Sequence, residues 1–389
     1  WLKIVLSWPW VSTWMRAFSC IWCLSGAVAA ATWQEDATLL ASDLRQILAL
    51  ATSTAEKFAD ASEGRVDEDN DNTGAMKAVE NRIVALIREA EAEARKVPYA
   101  MGAKMEELQA QLGGDRCPPG AFAVNTSNPP HHLVCVRTQP NFVDDAVKSA
   151  GYNTDCQPLP SLAAHPGVFV DIGANIGSCT LLMAAHGHRT YAFEPLNANF
   201  KLLQASLRLN GFHNHQVFNA GVSRESLERG MVIYERVGNA GASEVLPSGF
   251  HARNLSYFAN RPTAGSQPIQ TVALDDAVNE FVDLMKIDCQ GCELGAMQGA
   301  TRLLGSGMIR VLKIEFYPLR IQMLGGDPAE MLVILLRNGY EVRELPTDWD
   351  GGAADEGSLV ALDNVTDFVR RVSGSALFVD IIARHTGQW

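Results

Sequence analysis

Short apolar segments alternate with segments of helical periodicity from Val168 onward. The apolar segments are rich in β-branched and aromatic residues, which predicts buried strands. These segments are residues 168–172, 190–193, 216–218, 284–287, 311–316, 340–343 and 377–382. Between them, residues 176–186, 197–210, 293–304 and 329–338 repeat apolar positions three and four apart, which predicts helices. The alternation predicts an α/β fold with a Rossmann-like, doubly wound sheet of seven strands over residues 166–389.

A different pattern covers residues 35–112, where apolar residues recur in alternating steps of three and four. This spacing predicts helices with a narrow apolar seam, and the polar, acidic stretch 63–74 separates two of them. We expect a helical, coiled-coil arm through which the chain forms homo-oligomers. A loose helical hairpin or partly disordered tether explains the weak alanine and threonine seam positions equally well.

Residues 1–31 carry only two charges, Lys3 and Arg16, and the stretch 17–31 ends in small residues. A basic residue, a short apolar core and an alanine-rich exit are typical of a signal peptide or signal-anchor. We therefore expect the secretory pathway or membrane association. A buried segment in a cytoplasmic or organellar protein is the alternative. Residues 113–165 are rich in proline, asparagine and histidine, which predicts a linker and a cap, with His131 and His132 exposed to solvent.

Composition and charge narrow the function classes. Hydrophobic residues make up 47% of the 389 residues, an ordinary globular content, and the net charge is −12. An acidic chain offers no basic surface for nucleic acid. Of eight cysteines, six lie outside the apolar leader. An even number suits disulfides in an oxidising compartment, and buried free thiols are the alternative. Cys289 and Cys292 have CxxC spacing but lack a second ligand pair for zinc, so no metal site is predicted.

The strand at 168–172 ends in a glycine turn, Asp171-Ile-Gly-Ala-Asn-Ile-Gly177. Gly173 allows a sharp turn and close approach of a ligand, and Gly177 allows the next helix to pack near the strand. A dinucleotide fingerprint would read G-x-G-x-x-G, whereas this turn reads G-x-x-x-G with Asn175 between the glycines. An NAD-dependent oxidoreductase is thereby disfavoured. The turn suits a cofactor without a pyrophosphate, such as S-adenosylmethionine, held by Asp171, Gly173, Asn175 and Gly177.

Glu194 follows the next predicted strand, about 20 positions after the turn. An acid there is placed to accept hydrogen bonds from both ribose hydroxyls of a nucleoside. Gly221 and Val222 follow the third strand, where their backbone is expected to face the adenine. The long insertion 224–268 is expected to form an acceptor pocket or lid beside the same edge of the sheet.

Six motifs occur in order along residues 166–384: DIGANIG, AFEP, NAGVS, TVALDD, KIDCQGCE and KIE. Together they resemble the FkbM family of methyltransferases, and their order and spacing are more specific than any one motif. The resemblance implies a Rossmann-like methyltransferase sheet, S-adenosylmethionine as methyl donor, and O-methylation of a sugar, glycan or small metabolite. The family's fourth motif usually reads KIDVEGAE, so Gln290 stands where the family has an acid. Cys289 and Cys292 take small apolar places in it, which makes a redox role improbable.

Three carboxylates are candidates for the chemistry. Asp288 ends the fourth long strand on the ligand-facing edge, so it is the leading base or substrate-orienting residue, with Glu315 and Glu293 as second choices. Gln290 can hydrogen-bond a hydroxyl but cannot accept its proton. The alternative to an active enzyme is therefore a catalytically weakened binding or scaffold protein that oligomerises through its helical arm.

Overall fold

The computed structural model describes residues 116–163, 165–227, 230–248, 262–346, 349–351, 357–375 and 378–387. The predicted leader (1–31) and helical arm (35–112) lie outside these residues. Among the residues that the structure does describe, no helix is long and apolar enough to cross a membrane.

The described residues form fifteen strands and ten helices, named here in chain order. The strands are β1 (Ala121–Asn125), β2 (Leu133–Arg137), β3 (Val168–Ile172), β4 (Arg189–Phe193), β5 (His215–Phe218), β6 (Ala220–Val222), β7 (Met231–Arg236), β8 (Glu244–Pro247), β9 (Thr263–Pro268), β10 (Gln270–Val272), β11 (Val282–Ile287), β12 (Ile309–Phe316), β13 (Tyr340–Glu344), β14 (Ser358–Val360) and β15 (Val379–His385). The helices are α1 (Phe142–Ala150), α2 (Leu159–Leu162), α3 (Ser178–Ala185), α4 (Asn197–Leu209), α5 (Leu274–Ala277), α6 (Glu293–Gln298), α7 (Thr301–Gly305), α8 (Pro318–Met323), α9 (Pro328–Arg337) and α10 (Val365–Ser375).

The central sheet has eight strands in the order β14-β13-β15-β12-β11-β3-β4-β5. Neighbouring strands from β12 to β5 run parallel, whereas β15 runs antiparallel to both β12 and β13. All seven predicted strands lie in this sheet, so the predicted count is one too low. The additional strand, β14, has only three residues and pairs antiparallel with β13 at the edge. A segment of that length is too short to show the alternation that reveals a strand in a sequence.

Helices on both faces bury the middle of this sheet. Every residue of β3 and of β11 is buried, which explains why apolar residues predominate in both strands. Phe193 and Phe218 stack at 4.6 Å between ring centroids where β4 and β5 end. Helix α9 begins where the Asp327 side chain accepts the N–H of Ala329, with Pro328 in the first helical turn.

The direction of winding reverses between β3 and β11. The chain moves outward from β3 through β4 to β5, and then returns to the other side of β3 to add β11 and β12. In an open α/β sheet, ligands bind in the crevice outside the carboxyl ends of the strands at this switch point. The loops that follow β3, β4, β11 and β12 are therefore the first place to look for a site.

Residues 116–163 form the structure that covers one side of the sheet. The β1–β2 hairpin is closed by the Cys117–Cys135 disulfide, and Cys156–Cys179 joins a 3₁₀ turn, Thr154–Cys156, to α3. The prediction that both histidines are exposed is wrong for one of them. His131 is exposed, but His132 is only 6% exposed, and its Nδ1 atom lies 2.8 Å from the Pro130 carbonyl oxygen.

Candidate functional site

The glycine turn packs against the loop that follows strand β11. An added Cβ on Gly173 would lie 1.9 Å from the backbone oxygen of Asp288, and its φ of +77° favours glycine. An added Cβ on Gly177 would lie 2.3 Å from Leu203 Cδ1 in α4. Both glycines are thus required by close packing of the protein itself. The atoms nearest to Gly177 belong to α4, and α3 also packs against β3, as the sequence predicts.

Glu194 lies against this turn, as the sequence predicts. Its Oε2 atom accepts the N–H of Asn175 at 2.8 Å, and its Oε1 atom accepts the N–H of Leu196 at 2.8 Å. The side chain is 4% exposed, and this burial raises its pKa to about 7 although the N–H donors oppose the rise. A carboxylate has about four lone-pair sites, so Glu194 keeps capacity for a further donor. We call the turn 173–177 and Glu194 together the glycine edge.

A polar chain connects Glu194 to the covering residues. The Asn199 side chain lies 3.5 Å from Glu194 Oε1 and accepts a hydrogen bond from Arg137, which also pairs with the fully buried Asp144 at 2.8 Å. Asn219 makes a further contact with Glu194, because its side-chain amide donates to the Glu194 carbonyl oxygen at 2.9 Å. Arg137 and Asp144 were missed by sequence reasoning, since they lie far from the turn in the chain and only folding brings them near.

Asp171 is placed beneath the glycine edge rather than on it. Its carboxylate is 0% exposed, accepts the Thr180 hydroxyl at 2.7 Å and lies 3.2 Å from Lys286 Nζ. Lys286 also donates to the Gly173 carbonyl oxygen at 3.1 Å and lies 3.8 Å from Asp288. Burial lowers the pKa of Lys286, but the carboxylates of Asp171 and Asp288 outweigh it and raise the pKa overall. Asp171 therefore affects the crevice indirectly, because it pairs with Lys286, which contacts Gly173 and Asp288.

Gly221 and Val222 lie in the buried strand β6. This strand pairs in parallel with β10, and Val222 is 4% exposed within the main core. An added Cβ on Gly221 would meet Ile269 Cδ1 at 2.9 Å. Contact of these two residues with an adenine ring stays a prediction.

The three predicted catalytic carboxylates come together at the carboxyl ends of β11 and β12. Between two of them lies Gln290, whose Nε2 atom donates to Asp288 Oδ1 at 2.8 Å and to Glu315 Oε2 at 2.7 Å. Next to Glu315 in register is Asp380 on β15, which pairs with Lys313 at 2.8 Å. We call Asp288, Gln290, Glu315 and Asp380 the carboxylate edge.

Glu315 of this edge and the neighbouring Glu293 hold protons more tightly than usual. Burial, followed by the charges of Asp288, Glu293 and Asp380, raises the pKa of Glu315 to about 9. Burial also raises the pKa of Glu293 to about 7. Glu293 is fully buried at the start of α6, and its Oε1 atom accepts the N–H of Gly291 at 3.1 Å. Among the candidates, Asp288 is the most open carboxylate, with its side chain 35% exposed.

A disulfide closes the loop that carries Gln290. Cys289 and Cys292 are bonded to each other, and all six cysteines in the part of the chain that the structure describes are paired. Gln290 and Gly291 between them have φ of +61° and +121°. The described residues contain no group of three or more histidine, cysteine or acidic side chains placed to hold a metal ion.

The insertion contacts both edges of the crevice. Its strands β7, β8 and β9 form a separate antiparallel sheet, and an added Cβ on Gly241 in the β7–β8 connection would lie 2.6 Å from Asn175 Nδ2. On the other side, buried Glu244 pairs with Arg320 of α8 at 2.9 Å. Arg320 in turn packs beside Gly291. The insertion therefore forms a wall that runs from the glycine edge to the loop of the carboxylate edge.

The strand order, the reversal at β3 and the glycine turn define a Rossmann-like α/β domain. Residues 171–342 match the methyltransferase FkbM domain family. The resemblance inferred from the six motifs is thereby confirmed. A comparison with curated proteins finds no match.

Solved structures of methyltransferases are also similar. One is the methyltransferase FkbM from Methylobacillus flagellatus KT, with 19% identity over 56% of this chain and 43% of that one, and a TM-score of 0.33. Another is magnesium protoporphyrin IX methyltransferase from Synechocystis PCC 6803 with bound SAM, with 13% identity over 64% of this chain and 86% of that one, and a TM-score of 0.32. Because these TM-scores are low, the assignment of the fold and family rests on the strand order and the family match.

Proposed function

We propose that this protein transfers a methyl group from S-adenosylmethionine to a hydroxyl of a sugar, glycan or small metabolite. The observation that carries the proposal is the meeting of the glycine edge and the carboxylate edge at the switch point, where Lys286 donates to the Gly173 carbonyl oxygen at 3.1 Å and lies 3.8 Å from Asp288. One edge suits a nucleoside, and the other offers an open carboxylate to an acceptor.

The glycine edge fits S-adenosylmethionine. Asn175 has a buried Oδ1 atom without a hydrogen-bond partner, and Glu194 retains acceptor capacity beside it. Glu194 would accept from the ribose hydroxyls, and Asn175, Gly173 and Gly177 would shape the turn around the ligand. When bound, S-adenosylmethionine supplies an activated methyl group, so the protein's main contribution is alignment, which can be worth about 7–11 kcal/mol.

Asp288 is the proposed base for the acceptor hydroxyl. It lies at the end of β11, it is the most open of the predicted catalytic carboxylates, and Lys286 steadies it from below at 3.8 Å. Accepting the hydroxyl proton at Asp288 would contribute about 10²–10⁴-fold to the rate. Glu315 is less suited to that role, because a pKa raised to about 9 leaves its carboxyl protonated near neutral pH.

Titration calorimetry with S-adenosylmethionine and with NAD tests the cofactor. We expect the wild-type chain to bind S-adenosylmethionine and not NAD, and Glu194→Ala to weaken binding at least tenfold. A screen of sugars and small metabolites with isotopically labelled methyl donor then identifies the acceptor. Binding of NAD alone, or equal S-adenosylmethionine affinity in Glu194→Ala, would contradict the proposal.

An oxidising compartment is proposed for the mature protein. The pairing of all six described cysteines supports it, because disulfides persist in secreted and luminal proteins. Counting free thiols by mass spectrometry, after alkylation of protein from its native source, tests this. Six alkylated cysteines within residues 116–387 would contradict it.

A further inference from the structure

We propose that Gln290 is a positioning residue, which holds the Asp288 and Glu315 carboxyl groups on the two hydrogens of a single amide. The inference rests on the proposed function, in which Asp288 is the base. It assigns a constructive role to the residue that departs from the family motif.

The geometry of the amide carries this inference. The Nε2 atom of Gln290 lies 2.8 Å from Asp288 Oδ1 and 2.7 Å from Glu315 Oε2, so both of its hydrogens are engaged. These two acids come from different strands, β11 and β12, and the amide is the group between them. Gln290 therefore sets the relative orientation of the open carboxylate and its protonated neighbour.

The conformation of the loop backbone restricts where the Gln290 side chain can lie. The Cys289–Cys292 disulfide closes the loop. Gln290 has a left-handed backbone conformation, with φ of +61°, and this conformation sets the direction of its side chain. Gly291, with φ of +121°, is anchored through its N–H to Glu293. A left-handed conformation is unfavourable for a residue with a Cβ, so the fold maintains this one at an energetic cost.

An acid in the same place could not make both contacts. A protonated carboxyl offers one hydrogen, and an ionised one offers none, whereas the amide offers two at any pH. An ionised glutamate would also place a third carboxylate against Asp288 and Glu315, and like charges at that distance disfavour ionisation. Gln290 thus donates both hydrogen bonds at any pH, whereas an acid would donate one at most, and only when protonated.

Other charged groups around the pair come from every neighbouring element. Asp155 of the 3₁₀ turn faces Asp288, and Glu293 of α6 faces both acids. The remaining ones are Lys286 on β11, Lys313 on β12 and Asp380 on β15. Lys313 is paired with Asp380 and Lys286 with Asp171, whereas Gln290 donates directly to Glu315 Oε2, and the side chains of Glu315 and Asp288 also hydrogen-bond to each other.

Carbon-13 NMR of the carboxyl groups in the full chain tests this role without an acceptor. We expect Glu315, assigned with Glu315→Gln, to titrate near pH 9 in the wild type. Gln290→Met keeps the length of the side chain and removes the amide, so the Glu315 midpoint should rise by about 1–2 pH units. Gln290→Gly removes the amide and also relieves the positive φ, so it should fold at least as well and shift the midpoint in the same direction.

The matched control is Gln298→Met. Gln298 donates to Glu330 at 2.9 Å on the exposed side of α6, so this variant loses the same kind of bond away from the edge, and Glu315 should titrate as in the wild type. An unchanged midpoint in both Gln290 variants would overturn the proposal. A shift in only one of them would overturn it too, because it would assign the effect to the new side chain or to the loop backbone.

Calorimetry with S-adenosylmethionine separates this inference from the proposed function. We expect both Gln290 variants to bind it within about twofold of the wild type, since the glycine edge is unchanged. With the acceptor found in the screen, kcat should fall about 10- to 100-fold while the KM for S-adenosylmethionine stays constant. Wild-type protein that fails to bind S-adenosylmethionine would refute the proposed function, whereas the Glu315 titration would still decide the role of Gln290.

Discussion

The glycine edge and the carboxylate edge hold their acids in different ways. At the glycine edge, backbone N–H groups of Asn175 and Leu196 fix both oxygens of Glu194. At the carboxylate edge, one side-chain amide, Gln290, holds two acids. A backbone donor survives almost any substitution, whereas a side-chain donor disappears with a single one. The first edge is therefore fixed by the fold, and the second depends on the identity of one residue.

The link between the two edges should be the most sensitive point. Asp171→Asn leaves the buried Lys286 ammonium without its main partner, so we expect a loss of about 3–5 kcal/mol in the free energy of unfolding. Urea denaturation at pH 7 measures it. Asp367→Asn is the matched control, because it breaks an exposed pair with Arg370 at 2.6 Å and should change stability by less than about 1 kcal/mol. Equal effects of the two variants would show that the buried pair of Asp171 and Lys286 stabilises the fold no more than an exposed pair does.

The contact between the edges is the next most sensitive. Gly173→Ala drives a methyl group into the Asp288 carbonyl oxygen in addition to the cost of a positive φ, so we expect a loss of about 2–4 kcal/mol. Gly211→Ala is the control, since Gly211 has a φ of +65° and open space around it, and should cost about 1 kcal/mol. Thermal unfolding of both variants measures the difference. If Gly173→Ala were as mild as Gly211→Ala, the loop after β11 would not rest on the turn.

The last expected effect concerns the pH dependence of stability and separates the two acids. The folded-state pKa of Glu315 is about 9, against about 4.3 when unfolded, so the stability contributed by its protonated form is complete below pH 4.3 and is lost as the pH rises through 9. Glu315→Gln removes that loss, so we expect it to match the wild type near pH 4 and to become progressively more stable than the wild type as the pH rises to 8.

Glu194→Gln sharpens the comparison. The pKa of Glu194 is raised only to about 7, so the stability difference from the wild type should grow with pH up to about 7 and stay constant above it. Urea denaturation at half-unit steps from pH 4 to pH 9 measures both curves. Parallel curves for Glu315→Gln and the wild type would mean that Glu315 is ionised in the folded protein at neutral pH.

Sequence reasoning succeeded for the strands and contacts that a local pattern of residues determines. The seven predicted strands of the central sheet were found because each contains a short segment rich in apolar, β-branched or aromatic residues, and the contact of Glu194 with the glycine turn followed from the rule that parallel strands end at one edge. The missed strand β14 has three residues, too few to show a period. The leader and arm predicted at 1–31 and 35–112 stay predictions.

Pairings between distant residues were beyond that reasoning. The position of Asp171 opposite Lys286 follows from the register of β3 with β11, which no local pattern encodes. Gln290 was interpreted as a lost acid because its two partners lie on separate strands, and only the fold shows that its amide joins them. Disulfide connectivity is likewise undetermined by spacing alone, since six cysteines allow 15 arrangements.

The bond between Cys156 and Cys179 has a practical consequence for anyone preparing this protein. It fastens the turn that carries Asp155 to α3, the helix that begins at the end of the glycine turn. A chain synthesised in a reducing bacterial cytosol would lack that fastening, and Asp155 would no longer be held near the lysines and acids of the carboxylate edge. Material for an acceptor screen should therefore be expressed where thiols oxidise, such as the periplasm, and purified without added reductant.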